Sequence, residues 1–303
     1  MANPLYGQNK FDDKLDVKGR LNKSGGIPVQ DSSGIAPLGG SIIPPFAKSS
    51  YGYNGAVSAE GGFDFADADP YSESSTQLFP LGSTLNLGDR VFKYVQMDGA
   101  VTAGKLLQQK ASIIAHHSQM TATAAISADS DATTTDISVE TQGDTDITAN
   151  QYQDGYLWVN DVTGEGQSWR IKSHPAHDHS ADASIVITVY GGVATALATA
   201  SQLGICINVY KDVIVAPAAE TGAVVGATNI DMTDDYYGWI QVYGPKAMLA
   251  GETLILGHRI CRSDADAGAV MPDNGDDLTP VIGQVMTSSV VDTEYSLCHL
   301  NIA

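Results

Sequence analysis

The chain has 303 residues, of which 35 are acidic and 16 are basic, and its net charge at neutral pH is -19. Such a surface repels phosphate groups, so we expect neither nucleic acid nor an anionic membrane as a partner. Solubility alone, or adaptation to a salty environment, is the alternative explanation of the charge. Only 17% of the residues are charged and 31 are Gly, a composition that favours short strands and turns over long charged helices.

Residues 1–80 show no sustained periodicity and are rich in Gly, Pro, Ser and Asp. Aromatic residues nevertheless recur there, and a purely disordered tail is poorer in them. We therefore expect an extended N-terminal arm that lies on a neighbouring molecule, with a disordered leader as the alternative. The side chains expected to anchor this arm are Phe46, Tyr51, Tyr53, Phe63 and Phe65.

Strand patterns begin near residue 85 and recur about every ten residues, with turn signals between them, which is typical of a sandwich or barrel. Residues 90–96 alternate between polar and apolar types, and 237–243 is another predicted strand. Residues 184–190 are apolar at nearly every position, so burial on both faces is expected. Gly192–Ala200 alone resembles a short helix.

These patterns predict an all-β fold of β-sandwich or barrel domains, with a long extended N-terminal arm and little helix. We divide the chain into the arm at 1–80, a β-barrel or sandwich domain from 81–120 together with 201–303, and an inserted β-module at 121–200. The Thr- and Asp-rich stretch before residue 150 marks the proposed boundary.

Three cysteines, Cys206, Cys261 and Cys298, each lie in an apolar run. They are too few and too scattered for a disulfide framework or a zinc site, so buried free thiols are expected. No apolar stretch approaches the roughly 20 residues of a membrane helix, and the first residues lack the features of a signal peptide. Folding in a reducing cytoplasm fits these observations.

A cluster of three histidines, His174, His177 and His179, could supply metal ligands. Imidazoles two residues apart on an extended segment point to the same side, and a third ligand nearby would complete a site for zinc or another transition metal. The segment is polar, so an exposed loop with solvated histidines is the alternative. Asp-rich stretches such as 273–277 offer oxygen ligands for calcium, but they lack the EF-hand spacing and are more typical of turns.

The sequence carries none of the common motifs for nucleophilic, phosphate-binding, dinucleotide-binding or zinc-dependent catalysis. We therefore expect a protein that is not an enzyme and that needs no cofactor. An enzyme acting on polysaccharide remains an alternative, against which the scattered carboxylates count.

Gly-Trp-Ile-Gln-Val-Tyr-Gly at 238–244 and Pro-Val-Ile-Gly-Gln-Val-Met at 280–286 are two of several segments that carry a resemblance. They resemble head decoration proteins, also called capsid cement proteins, of tailed bacteriophages, and the middle of the chain is similar to longer structural proteins of marine phages. The segments are 87–94, 103–108, 154–161, 164–171, 238–244, 250–254, 280–286 and 292–300.

This resemblance implies a structural virion protein on the outer surface of the capsid, made in the host cytoplasm. Its partners would be the major capsid protein lattice and other copies of itself, in a homotrimer that bridges neighbouring capsomers. A tail fibre or spike-type receptor-binding protein is the alternative. A coat protein of the usual tailed-phage fold is disfavoured, because no long amphipathic helix is evident.

Overall fold

A computed structural model describes residues 47–48, 54–55, 68–111, 120–141, 146–273, 275, 279–288 and 293–302. The chain is all-β in these ranges, with a closed barrel and a second, larger sheet, so the expected fold class is confirmed. The five aromatic residues expected to anchor the N-terminal arm lie outside these ranges. No helix suited to crossing a membrane occurs in the part of the chain that the structure describes.

Nineteen strands follow one another along the described chain. They are β1 Ala47–Lys48, β2 Asn54–Gly55, β3 Glu73–Ser74, β4 Thr84–Leu87, β5 Arg90–Gln96, β6 Leu106–Gln108, β7 Met120–Ala122, β8 Thr134–Glu140, β9 Tyr156–Asp161, β10 Ser168–Ser173, β11 Ile185–Tyr190, β12 Gln202–Cys206, β13 Ile214–Val215, β14 Val224–Thr228, β15 Tyr237–Leu249, β16 Arg259–Arg262, β17 Val270–Pro272, β18 Gly283–Val285 and β19 Tyr295–Asn301.

The six strands β7 to β12 form a closed antiparallel barrel in the order β10-β11-β8-β7-β12-β9. Its interior is filled by alternate side chains of each strand, including Ile185, Ile187 and Val189 of β11. Val186 and Tyr190 of the same strand point outward and are exposed. The prediction that this run is buried on both faces is therefore wrong, because a closed barrel has one core and a solvated outer surface.

The helix predicted at Gly192–Ala200 is also absent. Val193 forms a β-bridge with Asp129, Leu197 forms one with Ile126, and both apolar side chains are buried in the barrel core. A spacing of four residues suits one face of a helix, but here both positions pair with a neighbouring segment instead. Tertiary pairing outweighs the helix propensity of the alanines.

The other eleven strands of the main fold form one large sheet along the path β13-β6-β14-β15-β19-β18-β16-β17, with β3 and β5 also paired to β15 and β4 to β5. Strands β3 to β6 precede the barrel in sequence and β13 to β19 follow it. Residues 68–80, expected in the arm, contribute β3 and part of an aromatic core to this sheet. The division into domains stays a prediction, because strand pairing alone does not define a domain.

Strand β15 changes partner halfway along its length. Its first half pairs with β5, and from Tyr243 onward it pairs with β19. A bulge marks the change, and the buried Gln241 amide donates hydrogen bonds to the carbonyl oxygens of Tyr243 (3.0 Å) and Pro245 (2.9 Å). Gly244 is required there, because it has φ +91° and a Cβ atom would collide with the Asp89 carbonyl oxygen.

Adjacent glycines in the barrel provide a matched test of backbone packing. At Gly192 a Cβ atom would collide with the carbonyl oxygen of Asp129, whereas at Gly191 (φ +88°) it would meet nothing within 4 Å. We expect Gly192→Ala to lower the free energy of unfolding by about 3 kcal/mol or more, because the 126–129 segment must move. Gly191→Ala should cost only about 1–2 kcal/mol, from its left-handed backbone. Urea unfolding measures both; equal losses would contradict the close approach.

Candidate functional site

The structure buries two of the three histidines that were considered as metal ligands. His174 Nδ1 lies 2.8 Å from the Pro175 carbonyl oxygen, and its Nε2 accepts a hydrogen bond from the Tyr152 backbone N–H at 3.0 Å. His177 Nε2 lies 2.9 Å from Thr141 Oγ1. Both side chains are thus structural parts of the barrel, and the expectation of an exposed loop is wrong for them.

His179 is half-buried, and its backbone N–H donates to Asp146 Oδ1 at 2.9 Å. Within the ranges that the structure covers, no group of three or more His, Cys, Asp or Glu side chains could hold a metal ion. The three histidines are therefore not brought together as a ligand set. The burial of His174 could not be predicted from the polar sequence around it, because its hydrogen-bond partners are backbone groups, which every residue type provides.

The cysteines are free thiols, as expected, with Cys261 and Cys298 buried and Cys206 half-buried. Burial raises the pKa of Cys298 to about 12, and burial with nearby carboxylates raises that of Cys261 to about 11. Both thiols are consequently protonated at neutral pH and poor nucleophiles. On the neighbouring strand, burial and the Arg90 charge lower the pKa of Lys246 to about 8.

More than half of the exposed large hydrophobic side chains of the described residues lie on β19 and the segments around it. Strand β19 alternates strictly, with Cys298 and Leu300 in the core and Tyr295 and Leu297 facing outward. We call the surrounding surface the β19 face, and it holds seven of the twelve exposed large hydrophobic side chains of the described chain. They are Tyr243, Ile255, Leu256, Val281, Met286, Tyr295 and Leu297.

Backbone contacts join these side chains into one surface. The Met286 N–H donates to the Leu297 carbonyl at 2.8 Å, and the Leu256 N–H donates to Ser288 Oγ at 3.0 Å. These bonds hold the 255–258 and 286–288 loops beside β19.

At the other end of β19, His299 packs edge-to-face on Tyr243 with ring centroids 4.9 Å apart. A shallow groove of about 370 Å³ lies beside this pair, between Arg259, Val281 and Gln284. The β19 face therefore combines an apolar end with a grooved, more polar end.

Carboxylates are missing from the strands that carry this surface. The residues of β15, β16, β18 and β19 include no Asp or Glu, but they include Lys246, Arg259 and Arg262. Arg259 pairs with Asp273 at 2.6 Å at the margin. Although the chain has 35 acidic residues, these strands carry none, so the free-energy cost of removing water from this surface is low. The centres of protein interfaces have this property.

The sequence alone placed the docking residues in the arm and missed the β19 face. A signal was present in the alternation of Tyr295, Leu297 and His299 and in the long acid-free stretch 237–249. Neither shows which side of a strand is covered by the rest of the molecule, so the face became visible only in the folded chain.

No protein-family model, curated protein or solved structure matches this chain. The resemblance to decoration proteins thus depends on the sequence segments alone. The geometry of the exposed surfaces provides a separate basis for an inference about function.

The buried His174 should make stability depend on pH. Burial lowers the pKa of this imidazole, and a proton on Nε2 would face the Tyr152 N–H donor. Because the folded-state pKa lies below the unfolded value of about 6.5, the stabilising effect of the neutral ring is complete above that pH. It is lost as the pH falls toward the folded-state pKa, at up to about 1.4 kcal/mol per pH unit.

Urea unfolding at pH 7 and pH 5 measures this dependence. We expect His174→Gln to remove part of the loss seen in the unmodified chain, whereas His299→Gln, on the β19 face, should retain it. An NMR titration of the His174 ring in the unmodified chain measures its pKa directly, also if the variant does not fold. A ring that titrates at or above the ordinary value would contradict the assignment.

Proposed function

We propose that this chain is a structural protein of a bacteriophage particle that decorates the capsid and stabilises it by bridging neighbouring capsomers. The observation that carries the proposal is the β19 face, an apolar surface whose strands carry no carboxylate, on a strongly acidic molecule. The resemblance of segments such as 238–244 and 292–300 to decoration proteins supports the same conclusion, and these segments form β15 and β19, which carry that surface.

An exposed apolar area of this kind marks a contact with another protein. Its partner is the major capsid protein lattice, and the same or adjacent surfaces join copies of the chain into a homotrimer. Each contact can be modest, because a trimer that binds several capsomers at once gains affinity through multivalency.

The acidic remainder of the molecule faces outward. A net charge of -19 keeps crowded copies soluble and disfavours contact with the packaged DNA, so the outer surface of the capsid is the proposed location. Neither nucleic acid nor membrane is a partner in this proposal. The N-terminal arm, with Phe46, Tyr51, Tyr53, Phe63 and Phe65, is proposed as a second contact with the lattice.

The copy number per virion tests the location. We expect quantitative mass spectrometry of purified particles to give a simple lattice ratio to the major coat protein, near one, because every equivalent lattice position would be occupied. A few to a few tens of copies would contradict the capsid role and favour a tail fibre or spike. Absence from particles would contradict both structural roles.

Substitutions on the β19 face test the contact itself. Leu297→Asp places a charge in the proposed interface, and we expect it to weaken binding to undecorated capsids by roughly a hundredfold or more, because the buried carboxylate would lack a partner. The control is Val186→Asp on the barrel, since the two side chains have similar exposure (37% and 42%).

Co-sedimentation of each full-length variant with capsids gives the affinity, and circular dichroism verifies the fold. Equal binding by Leu297→Asp and the unmodified chain would contradict the role of this surface.

A further inference from the structure

A cleft of about 610 Å³ lies between the barrel and the large sheet, remote from the β19 face in sequence and sharing no residue with it. The barrel contributes Asp154, Arg170 and Tyr190 to one wall. The opposite wall is the loop formed by residues 77–80 of the large sheet. This volume falls within the range of roughly 300–1,000 Å³ that is usual for small-ligand sites.

The barrel wall presents a donor and an acceptor side by side. Arg170 Nη2 lies 3.1 Å from Asp154 Oδ1, and both side chains remain partly open to solvent. Arg170 Nε is buried and has no hydrogen-bond partner among the described residues. Asp154 therefore engages the guanidinium at one nitrogen, and the pair is not closed into a bidentate ion pair.

The backbone at Asp154 is fixed in an uncommon conformation. Its φ is +63°, its N–H donates to the Ile171 carbonyl at 3.0 Å, and its carbonyl accepts from Asn208 Nδ2 at 3.0 Å. The next residue must be glycine, because a Cβ atom on Gly155 would collide with the Cys206 carbonyl oxygen. The carboxylate is thus held at the cleft by the barrel and by the segment that follows it.

Apart from Gln77, the opposite wall is apolar, and it is equally well anchored. Phe79 packs against Tyr94 (5.2 Å between ring centroids) and Trp239 (5.3 Å), and the Leu78 N–H donates to Tyr94 Oη at 3.1 Å. Leu78 itself is exposed at the cleft. Pro80 completes the apolar rim, and the contacts of Leu78 and Phe79 fix the position of this rim within the fold.

Tyr190 supplies a flat aromatic surface on the barrel side. Lys172 Nζ lies over its ring, 5.9 Å from the centroid, and about half of the side chain is exposed. An exposed tyrosine beside a polar pair offers an apolar ring for stacking next to hydrogen-bonding groups.

We propose that this cleft binds a neutral oligosaccharide. A sugar ring has an apolar face of C–H groups, which suits Tyr190 and Leu78, and a rim of hydroxyl groups that both donate and accept hydrogen bonds. Arg170 is a donor and Asp154 an acceptor, so together they match a pair of adjacent hydroxyls. The Arg170 charge is offset by Asp154. Lys172 adds one positive charge beside Tyr190, but the chain as a whole carries -19, so an acidic sugar is disfavoured relative to a neutral one.

Binding at the cleft is independent of the capsid role. The experiment below uses the isolated full-length chain without capsids, so its failure and a failure of the lattice contact are separate results.

An array of neutral and uronate-containing oligosaccharides from bacterial surface polysaccharides provides the first probe, and isothermal titration calorimetry with the bound neutral members provides affinities. We expect Tyr190→Ala to weaken binding by about tenfold or more, through loss of the stacking surface. Arg170→Lys should weaken it as well, because the planar fork is lost. The matched control is Val186→Ala on the same strand, outside the cleft and of similar exposure (42% against 48% for Tyr190); it should stay within about twofold of the unmodified chain.

Equal affinities of the unmodified chain and Tyr190→Ala would overturn the proposal. Binding confined to uronate oligosaccharides, or no binding of any array member, would also overturn it. The cleft could instead be a contact between copies of the chain, and light scattering after size-exclusion chromatography tests this. Dissociation of an oligomer by Tyr190→Ala would overturn the proposal in favour of such a contact.

Discussion

The whole large sheet depends on the requirement that the 13-residue strand β15 satisfy its backbone hydrogen bonds along its full length. No single neighbour is long enough to do this. Residues 237–243 pair with β5, 240 and 241 also pair with β14, and 243–249 pair with β19. Pro245 has no N–H to donate, and the Gln241 side chain supplies donors to the carbonyls on either side of Gly244. The bulge that results places β19, and with it the outward row of Tyr295 and Leu297, at the surface.

Closure of the barrel determines which of its groups can make contacts with other molecules. A closed barrel has no unpaired strand edge, so the outward side chains of β9, β10 and β11 are free for contacts other than strand pairing. Asn208 and Lys211 tie the turn at 150–154 to the segment that leads back into the large sheet, through bonds of 3.0–3.1 Å to the carbonyls of Asn150, Gln151 and Asp154. The cleft beside Arg170 therefore has two rigid walls, which lowers the entropic cost of binding a ligand there.

Strand existence was predictable where side chains alternate, because a period of two is a property of the sequence itself. Strand β5 (Arg90–Gln96) was predicted with its observed bounds, whereas β15 was predicted to stop at Tyr243 because Gly244 and Pro245 usually end a strand. The missing information was the pairing with β19, which continues the strand past the proline. Likewise, Val193 and Leu197 could not be assigned to bridges without knowing that 126–129 lies beside them.

Site prediction was limited by the same lack of long-range information. Histidines in a polar stretch suggested solvent or metal as partners, but the partners of His174 are backbone groups of Tyr152 and Pro175, and backbone groups leave no trace in a sequence. The aromatic residues of the arm stay a prediction. The β19 face and the cleft each need side chains from segments far apart in sequence, such as Tyr243 with Val281, or Leu78 with Arg170.

The uneven distribution of charge suits the two surfaces to the different roles proposed for them. Copies of a chain with a net charge of -19 repel one another, and tight packing on a lattice is favourable only where carboxylates are scarce at the contact. Strands β15, β16, β18 and β19 meet that condition, and β15 and β19 also expose apolar side chains. The cleft, by contrast, is lined by an offset Arg–Asp pair and by side chains without charge, which suits a neutral ligand better than a charged protein surface. A molecule that docks through β19 would thus keep the barrel and its cleft available, so one chain can serve as a lattice component and as a binding module without competition between the two contacts.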